Sequence, residues 1–167
     1  MAVSTPTFDR PSARAIYRAQ DVASPAATAF RRICEVEKWP VWLSFLRSAR
    51  LTEPHLPFGA GSEVAIRSGL PGDEEELFEV DRFIDGHHVS LVGAYSCRWR
   101  LDFRVEQKSE RSKVAVRLDY PTYGGAMAAL LDRFTRRRRL DLALGDSLLH
   151  FKGLVEFERE DGLLDDF

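Results

Sequence analysis

The feature of this sequence that most constrains the fold is a change of hydrophobic period at Pro121. Before Pro121, apolar and polar residues alternate over several short segments. After it, apolar residues recur at helical spacing for about thirty residues, far longer than an average helix. The apolar stripe of such a helix needs a large apolar surface to cover it, and the preceding strands offer one. The sequence therefore predicts a curved sheet wrapped around a long carboxy-terminal helix.

Seven segments have the pattern of antiparallel β-strands. The clearest is 97–105, where Trp99, Leu101 and Phe103 alternate with charged residues, as expected when one face of a strand is buried. Glycine and proline residues between the segments indicate hairpins. The predicted strands are 13–22, 48–53, 62–68, 75–84, 88–94, 97–105 and 114–120.

Two short helices are predicted after the first strand. Ser24 is the expected N-cap of the first, with Pro25 in its first turn and apolar residues at helical spacing up to Cys34. Pro40 is expected to end that helix, because proline cannot continue the hydrogen-bond ladder. Apolar residues at 42, 43, 45 and 46 predict a second short helix. The fold class is α+β: a seven-stranded curved antiparallel sheet, two short helices and one long helix.

Charge and composition exclude several classes of partner. The 24 Lys and Arg residues nearly balance 26 Asp and Glu residues, which gives a net charge of −2 and argues against a nucleic acid partner. No apolar run approaches the roughly 20 residues of a membrane span, and the amino terminus lacks a signal-peptide pattern. We predict no stable membrane insertion, a cytoplasmic location, and a single domain at 13–158 with flexible termini at 1–12 and 159–167.

Motifs for metal binding or catalysis are absent from the sequence. Cys34 and Cys97 lie outside any CxxC spacing, which predicts reduced thiols, and the histidines show no metal-ligand spacing. There is no GxSxG nucleophile motif. We therefore predict no metal and no cofactor, and the sequence identifies no catalytic residue.

The order of elements and three short segments resemble a known superfamily. The segments are VEKWPVW at 36–42, FGAGS at 58–62 and LLHFKGLVE at 148–156. Together they resemble the START-like helix-grip (SRPBCC) superfamily, in particular its polyketide cyclase/dehydrase-like group, over about residues 13–158. These motifs are structural, so the resemblance implies the helix-grip fold more strongly than any chemistry.

The resemblance also implies a hydrophobic cavity between the sheet and the long helix. The superfamily uses this cavity for lipids, sterols, polyketides, quinones and plant hormones. Some members catalyse cyclisation, dehydration or hydrolysis, and many only bind or carry a ligand. The superfamily has no shared catalytic constellation, so no catalytic role is transferred to this chain.

Candidate ligand-binding residues come from the apolar faces and from polar residues at their ends. Large inward side chains on strands and helix can line an apolar pocket, and Leu142 with the small Gly145 is expected to face the sheet further along the helix. His87 is expected to share the inner face with Val89 and Leu91, and tyrosines at strand ends, including Tyr120, can bond a ligand. The predicted residues are Trp99, Leu101, Phe103, Val116, Leu118, Met127, Leu130, Phe134, His87, Tyr95, Tyr123 and Arg138.

Four successive arginines, at 136–139, are the most conspicuous charged run. At about 100° per residue they span more than one helical turn, so at least one must lean toward the sheet or the pocket. Arg138 follows the apolar stripe and is the candidate for binding a carboxylate or phosphate on a ligand. Pairing with Asp132 and Asp141 is the structural alternative, and docking on an anionic membrane surface is another.

Three functions from different classes stay open. The leading hypothesis is binding or transport of a small hydrophobic or amphipathic molecule, such as a lipid, a polyketide or a quinone. The second is an aromatase, cyclase or dehydratase, in which His87, Tyr95 or Arg138 would polarise a ketone or move a proton. The third is a protein-interaction domain with a filled core, for which a homodimer interface would leave an exposed apolar patch.

Overall fold

A computed structural model describes residues 15–69, 74–94, 99–120 and 135–164 of the 167-residue chain, with side chains up to residue 157. The predicted seven-stranded antiparallel sheet is confirmed. Its spatial order is β1-β7-β6-β5-β4-β3-β2, so the first and second strands form its two edges. The strands are β1 (Ala15–Val22), β2 (Leu46–Leu51), β3 (Glu63–Ser68), β4 (Glu75–Ile84), β5 (His88–Gly93), β6 (Arg100–Lys108) and β7 (Arg111–Asp119).

Two short helices follow β1, as predicted, but their boundaries differ from the sequence interpretation. Helix α1 (Ala26–Cys34) is followed by a 3₁₀ turn (Val36–Lys38) and by α2 (Trp39–Trp42). Pro40 lies in the first turn of α2 instead of ending α1, a position where its missing N–H costs no hydrogen bond.

The predicted N-cap of α1 is also wrong. Pro25 occupies the N-cap position, and Ser24 makes no side-chain cap bond. The backbone N–H of Ala26 donates instead to Oε1 of Gln107 at 2.6 Å. A side chain 81 residues away thus caps the helix, a contact that local sequence cannot reveal.

The long carboxy-terminal helix is α3 (Arg136–Leu164). Within the helix predicted after Pro121, the apolar residues Leu144, Leu148, Phe151 and Val155 are buried, whereas the part of the prediction at 121–134 lies outside the described residues. Leu142 does not face the sheet as expected: its side chain is 58% exposed. At about 100° per residue, Leu142 lies roughly 160° around the helix from Leu144, so the two cannot share a face.

Helix α3 is attached to the edge of the sheet and to the segment after α2. Arg18 of β1 donates two hydrogen bonds to the carboxylate of Asp141, at 2.8 and 2.5 Å. At the other contact, the backbone N–H of Ser44 donates to Oγ of the fully buried Ser147 at 2.9 Å. These bonds fix the rotation of α3, and the sheet curls around its buried face as a half-barrel.

Leu144→Ala tests whether the buried face of α3 holds the sheet. Because Leu144 is fully buried, the substitution should remove its packing and leave a cavity, lowering the free energy of unfolding by about 2–5 kcal/mol. Leu56→Ala is the matched control, because Leu56 is 49% exposed in the β2–β3 loop and its loss should cost at most about 0.5 kcal/mol. Urea denaturation measures both, and equal effects would contradict the assigned packing.

Candidate functional site

The inner face of β6 and β7 brings four predicted site residues together. The register pairs Leu101 with Leu118 and Phe103 with Val116, so the four side chains form two adjacent cross-strand pairs. All four are buried in the main hydrophobic core. We refer to these four residues as the inner wall.

Two aromatic side chains of α2 pack against the inner wall, and one of them also contacts α3. The Phe103 ring lies 5.3 Å from Trp39 and 5.9 Å from Trp42, measured between ring centroids. On the other side, Trp42 lies 4.7 Å from Phe151 of α3 in an edge-to-face arrangement. Such arrangements are favourable for aromatic pairs, and here they connect α2, the sheet and α3.

The two tryptophans of α2 differ in how their indole N–H groups are satisfied. Both are fully buried. Nε1 of Trp39 donates to the backbone carbonyl of Ile33 at 2.7 Å. Nε1 of Trp42 is buried and finds no acceptor among the residues that the structure describes. A buried donor without a partner costs about 1–3 kcal/mol, and this one belongs to a ring that contacts both the inner wall and α3.

Trp99 is half-buried and forms a second aromatic group at the start of β6. Its ring lies 6.0 Å from Tyr120, and the guanidinium carbon of Arg136 lies 5.5 Å from the Trp99 ring and 5.9 Å from the Tyr120 ring. These distances are within the range of cation–π attraction. Positive charge is thus held against the aromatic residues where β6 begins and β7 ends.

The arginine run meets the sheet, but not through the residue predicted. Arg136 stacks on the aromatic pair, and Arg137 donates to the backbone carbonyl of Ala15 at 3.4 Å. Arg138 is exposed, and Asp141, its proposed partner, binds Arg18 instead. The inward guanidinium expected at Arg138 is therefore at Arg136.

His87 does not lie on the inner face. It is exposed in the β4–β5 turn, where its backbone N–H donates to the carbonyl of Ile84 and its carbonyl accepts from Val105. Gly86 in this turn has φ +74°, a conformation that glycine adopts at little cost. Strand β5 begins only at His88. His87 therefore belongs to the turn, and the inward–outward alternation of side chains along β5 does not extend to it.

Sequence reasoning missed a buried polar cluster on the outer face of the sheet. His88 Nε2 lies 3.0 Å from Oδ2 of Asp102, and Nε of Arg104 donates to Oδ1 of the same carboxylate at 3.2 Å. His88 and Asp102 are 7% and 5% exposed. Because Phe103 points inward, Asp102 and its cross-strand neighbour Ser90 point outward.

The electrostatics of this outer cluster favour an ionised Asp102. Burial by itself raises the pKa of this carboxyl. The hydrogen bond and charge of His88, together with Arg104, outweigh burial and hold the pKa below its usual value. The alternating pattern of β6 signals that Asp102 faces outward, but only the tertiary structure shows that the His88 side chain, which lies opposite Arg104, reaches across to bond it.

Five predicted site residues lie outside the described part of the chain: Tyr95, Tyr123, Met127, Leu130 and Phe134. Cys97 also lies outside it. Cys34 is a free thiol, and burial raises its pKa to about 11, with smaller contributions from Asp85 and Glu35. At neutral pH it is therefore protonated and weakly nucleophilic.

The described residues lack a metal cluster and a membrane-spanning helix, and they form a cleft at the surface. They contain no group of three or more His, Cys, Asp or Glu side chains arranged to hold a metal ion. None of the described helices is long and apolar enough to cross a membrane. A cleft of about 270 Å³ lies along residues 51–63, next to β2 and β3. It opens to solvent at the β2–β3 edge of the sheet, whereas the inner wall belongs to β6 and β7.

Comparison with known proteins gives matches at the level of structure only. No protein-family model matches this chain, and no curated protein matches it. Similar solved structures include a protein from Thermus thermophilus, with a TM-score of 0.68 at 14% identity, covering 84% of this chain and 96% of that one.

Two further similar structures carry descriptions of their fold group. A polyketide-cyclase-like protein from Corynebacterium glutamicum has a TM-score of 0.64 at 13% identity, covering 90% of this chain and 96% of that one. A START superfamily protein from Mycobacterium smegmatis has a TM-score of 0.57 at 13% identity, covering 88% and 97%. The chain therefore has the START-like helix-grip fold that its sequence predicted.

Asp102→Asn tests the outer cluster. Because the folded state lowers the pKa of Asp102, its contribution to stability is present above the usual value of 3.8 and is lost as the pH falls through the lower folded value. At pH 7 the substitution should lower the free energy of unfolding by about 2 kcal/mol, and the deficit should shrink below about pH 3.8. Urea titrations at several pH values measure it.

Asp81→Asn is the control for this experiment. Asp81 accepts a bond from Arg100 at 3.0 Å but is only partly buried, so its loss should cost at most about 1 kcal/mol. A deficit for Asp102→Asn that stays constant down to pH 3 would contradict the assigned role of the ionised carboxylate.

Proposed function

We propose that this chain, which has the START-like helix-grip fold, binds a small hydrophobic or amphipathic ligand between the inner face of its sheet and α3. The observation that carries the proposal is the buried indole N–H of Trp42, which has no acceptor among the residues that the structure describes. It lies in an apolar environment, in contact with Phe103 of the inner wall and Phe151 of α3. Binding sites for small molecules combine apolar walls with a few placed polar groups in this way.

The unpaired N–H defines the chemistry of the ligand. An indole N–H is a donor only, so the ligand must present an acceptor, such as a carbonyl, quinone or ether oxygen. The surrounding rings favour a flat apolar body. A lipid, polyketide or quinone-like molecule with one such oxygen satisfies both requirements. It would also recover the cost of about 1–3 kcal/mol that the unpaired donor imposes.

Binding is favoured over catalysis by where the reactive side chains lie. Within the described residues, the buried imidazole and carboxylate groups are His88 and Asp102, which face outward and bond each other. The inner wall consists of aliphatic and aromatic side chains. A cyclase or dehydratase needs an acid or base within hydrogen-bond reach of its substrate, so the inner wall supports a carrier or binding module.

The amphipathic character of the ligand has its own support. Arg136 places positive charge beside Trp99 and Tyr120, and an anionic or strongly polar end of the ligand would be attracted to it. The single domain at 13–158 and the cytoplasmic location predicted from the sequence complete the proposal. The ligand would then be either a molecule dissolved in the cytoplasm or one that the chain transfers from one partner molecule to another.

The first test is native mass spectrometry of the full chain purified without detergent, followed by solvent extraction of any adduct. We expect a stoichiometric apolar adduct that contains at least one acceptor oxygen. If the protein is free of adduct, the probe becomes acetylnaphthalene, a flat apolar ketone. Failure of both to bind would overturn the proposal.

A second test places the ligand at Trp42. The chain has three tryptophans, so ¹⁵N-labelled protein gives three indole N–H signals that single Trp→Phe variants assign. Adding acetylnaphthalene should shift the Trp42 signal most, because a new hydrogen bond forms there. The Trp39 signal should move less, since its N–H already bonds to Ile33.

Trp42→Phe should weaken acetylnaphthalene binding by about five- to ten-fold, the value of one hydrogen bond. It should leave binding of isopropenylnaphthalene, the hydrocarbon of the same shape, unchanged. Trp39→Phe is the matched control: the residue is equally buried, so the variant should lose stability without changing the preference for ketone over hydrocarbon. An unchanged preference in Trp42→Phe would contradict the assigned anchor.

A further inference from the structure

Helix α3 carries an apolar stripe on the face that points away from the sheet. Leu142, Leu149 and Phe157 are 58%, 58% and 63% exposed. Helical spacing places all three within about 80° of each other, opposite the buried Leu144 and Phe151. We refer to these three exposed residues as the α3 stripe. A helix that is apolar on both faces normally has both faces covered.

The spacing of the stripe is that of a helix–helix seam. Leu142 and Leu149 are seven residues apart. Along the same face, positions 142, 146, 149, 153 and 157 follow one another at steps of three or four residues, with Asp146 and Gly153 between the apolar residues. Such spacing keeps one face of a helix against a partner helix. A Cβ added at Gly145 or Gly153 would meet no atom within 4 Å. Packing within the described residues therefore does not require these glycines, although glycine weakens a helix interior.

Charge along α3 points to the occupant of this face. The first turn contains four arginines, at 136–139, and no acidic residue. By sequence, positions 156–161 contain four acidic residues and one arginine. This distribution opposes the helix dipole, which favours acidic residues at the amino end and basic ones at the carboxyl end. An antiparallel copy of the same helix would set the basic end of each against the acidic end of the other.

From the stripe and this charge distribution we infer that the chain forms a two-fold symmetric homodimer in which the two α3 helices pack antiparallel along the α3 stripe. A dyad between positions 149 and 150 places Leu142 of one copy opposite Phe157 of the other. The same register sets position 139 opposite 160 and 138 opposite 161, which pairs each exposed arginine position with an acidic one. The register that matches the apolar residues also matches the charges, as a self-complementary interface requires.

The inner wall and Trp42 take no part in this interface, so the inference stands independently of ligand binding. The contact runs from position 138 to 161, about 35 Å of helix. Arg136 and Arg137 are held against the sheet and Ala15. The exposed pair, Arg138 and Arg139, is available at the surface to meet the second copy.

Leu149→Asp in the full chain tests the interface by sedimentation velocity over a range of concentrations. The wild type should be a dimer. The variant should raise the dimer dissociation constant roughly thirty-fold or more, because it places a charge at the centre of an apolar interface. Val41→Asp is the control: Val41 is 64% exposed but lies on α2, which packs against the buried face of α3 through Trp42 and Phe151, so the dissociation constant should not change. Circular dichroism checks that both variants fold.

A charge exchange tests the antiparallel register. Arg139→Glu alone and Glu160→Arg alone should each weaken the dimer several-fold, whereas the double variant should restore it. Only an arrangement that sets position 139 opposite 160 of the second copy predicts this restoration. Failure of the double variant to recover would overturn the proposed register.

Two results would overturn the dimer itself. One is a wild-type chain that stays monomeric up to about 100 µM, where an interface with micromolar affinity would be populated. The other is a Leu149→Asp variant that dimerises as the wild type does. A monomer that binds phosphatidylcholine–phosphatidylserine vesicles, and loses that binding in Leu149→Asp, would assign the α3 stripe to a lipid surface instead.

Discussion

The rest of the structure depends on the aromatic packing that joins α2, the sheet and α3. Trp42 is central to it, because its ring contacts Phe103 on the sheet and Phe151 on the helix. Three elements distant in sequence are thereby fixed around one apolar interior. The ring that provides this packing also carries an N–H that finds no acceptor in the described ranges. The side chain that stabilises the fold is therefore also the one that places a polar group in the apolar interior.

The outer face of the sheet contributes to stability, and the inner face forms the proposed binding surface. On the outer face, His88, Asp102 and Arg104 satisfy one another through hydrogen bonds. On the inner face, the inner wall is apolar. Because these charged groups lie on the outer face, the described part of the interior contains no charge that would have to be desolvated. Binding to an apolar interior is then driven mainly by the apolar surface area that the ligand buries. The proposed ligand chemistry follows from this separation.

Helix α3 serves both the interior and the surface. Leu144 and Phe151 close the interior, while Leu142 and Leu149 face away from it. Since the two faces lie on opposite sides of one rigid helix, a second copy can pack on the outside without displacing anything inside. Ligand binding and dimerisation can therefore be separated by single substitutions, which makes each proposal independently measurable.

The sequence by itself determined the fold class, the seven strands, the buried stripe of α3 and the inner wall, because hydrophobic period and β-strand alternation are local properties. It could not place His87, because the turn at Gly86 interrupts the alternation of the strand. It also could not predict that Arg136 rather than Arg138 contacts the sheet, because that depends on which aromatic rings lie next to the helix. The cap that Gln107 gives Ala26 and the His88–Asp102 pair join residues distant in the chain. Only the tertiary structure decided these contacts and left Trp42 Nε1 without an acceptor within the described part of the chain, because hydrogen-bond satisfaction depends on distances between elements that no sequence pattern records.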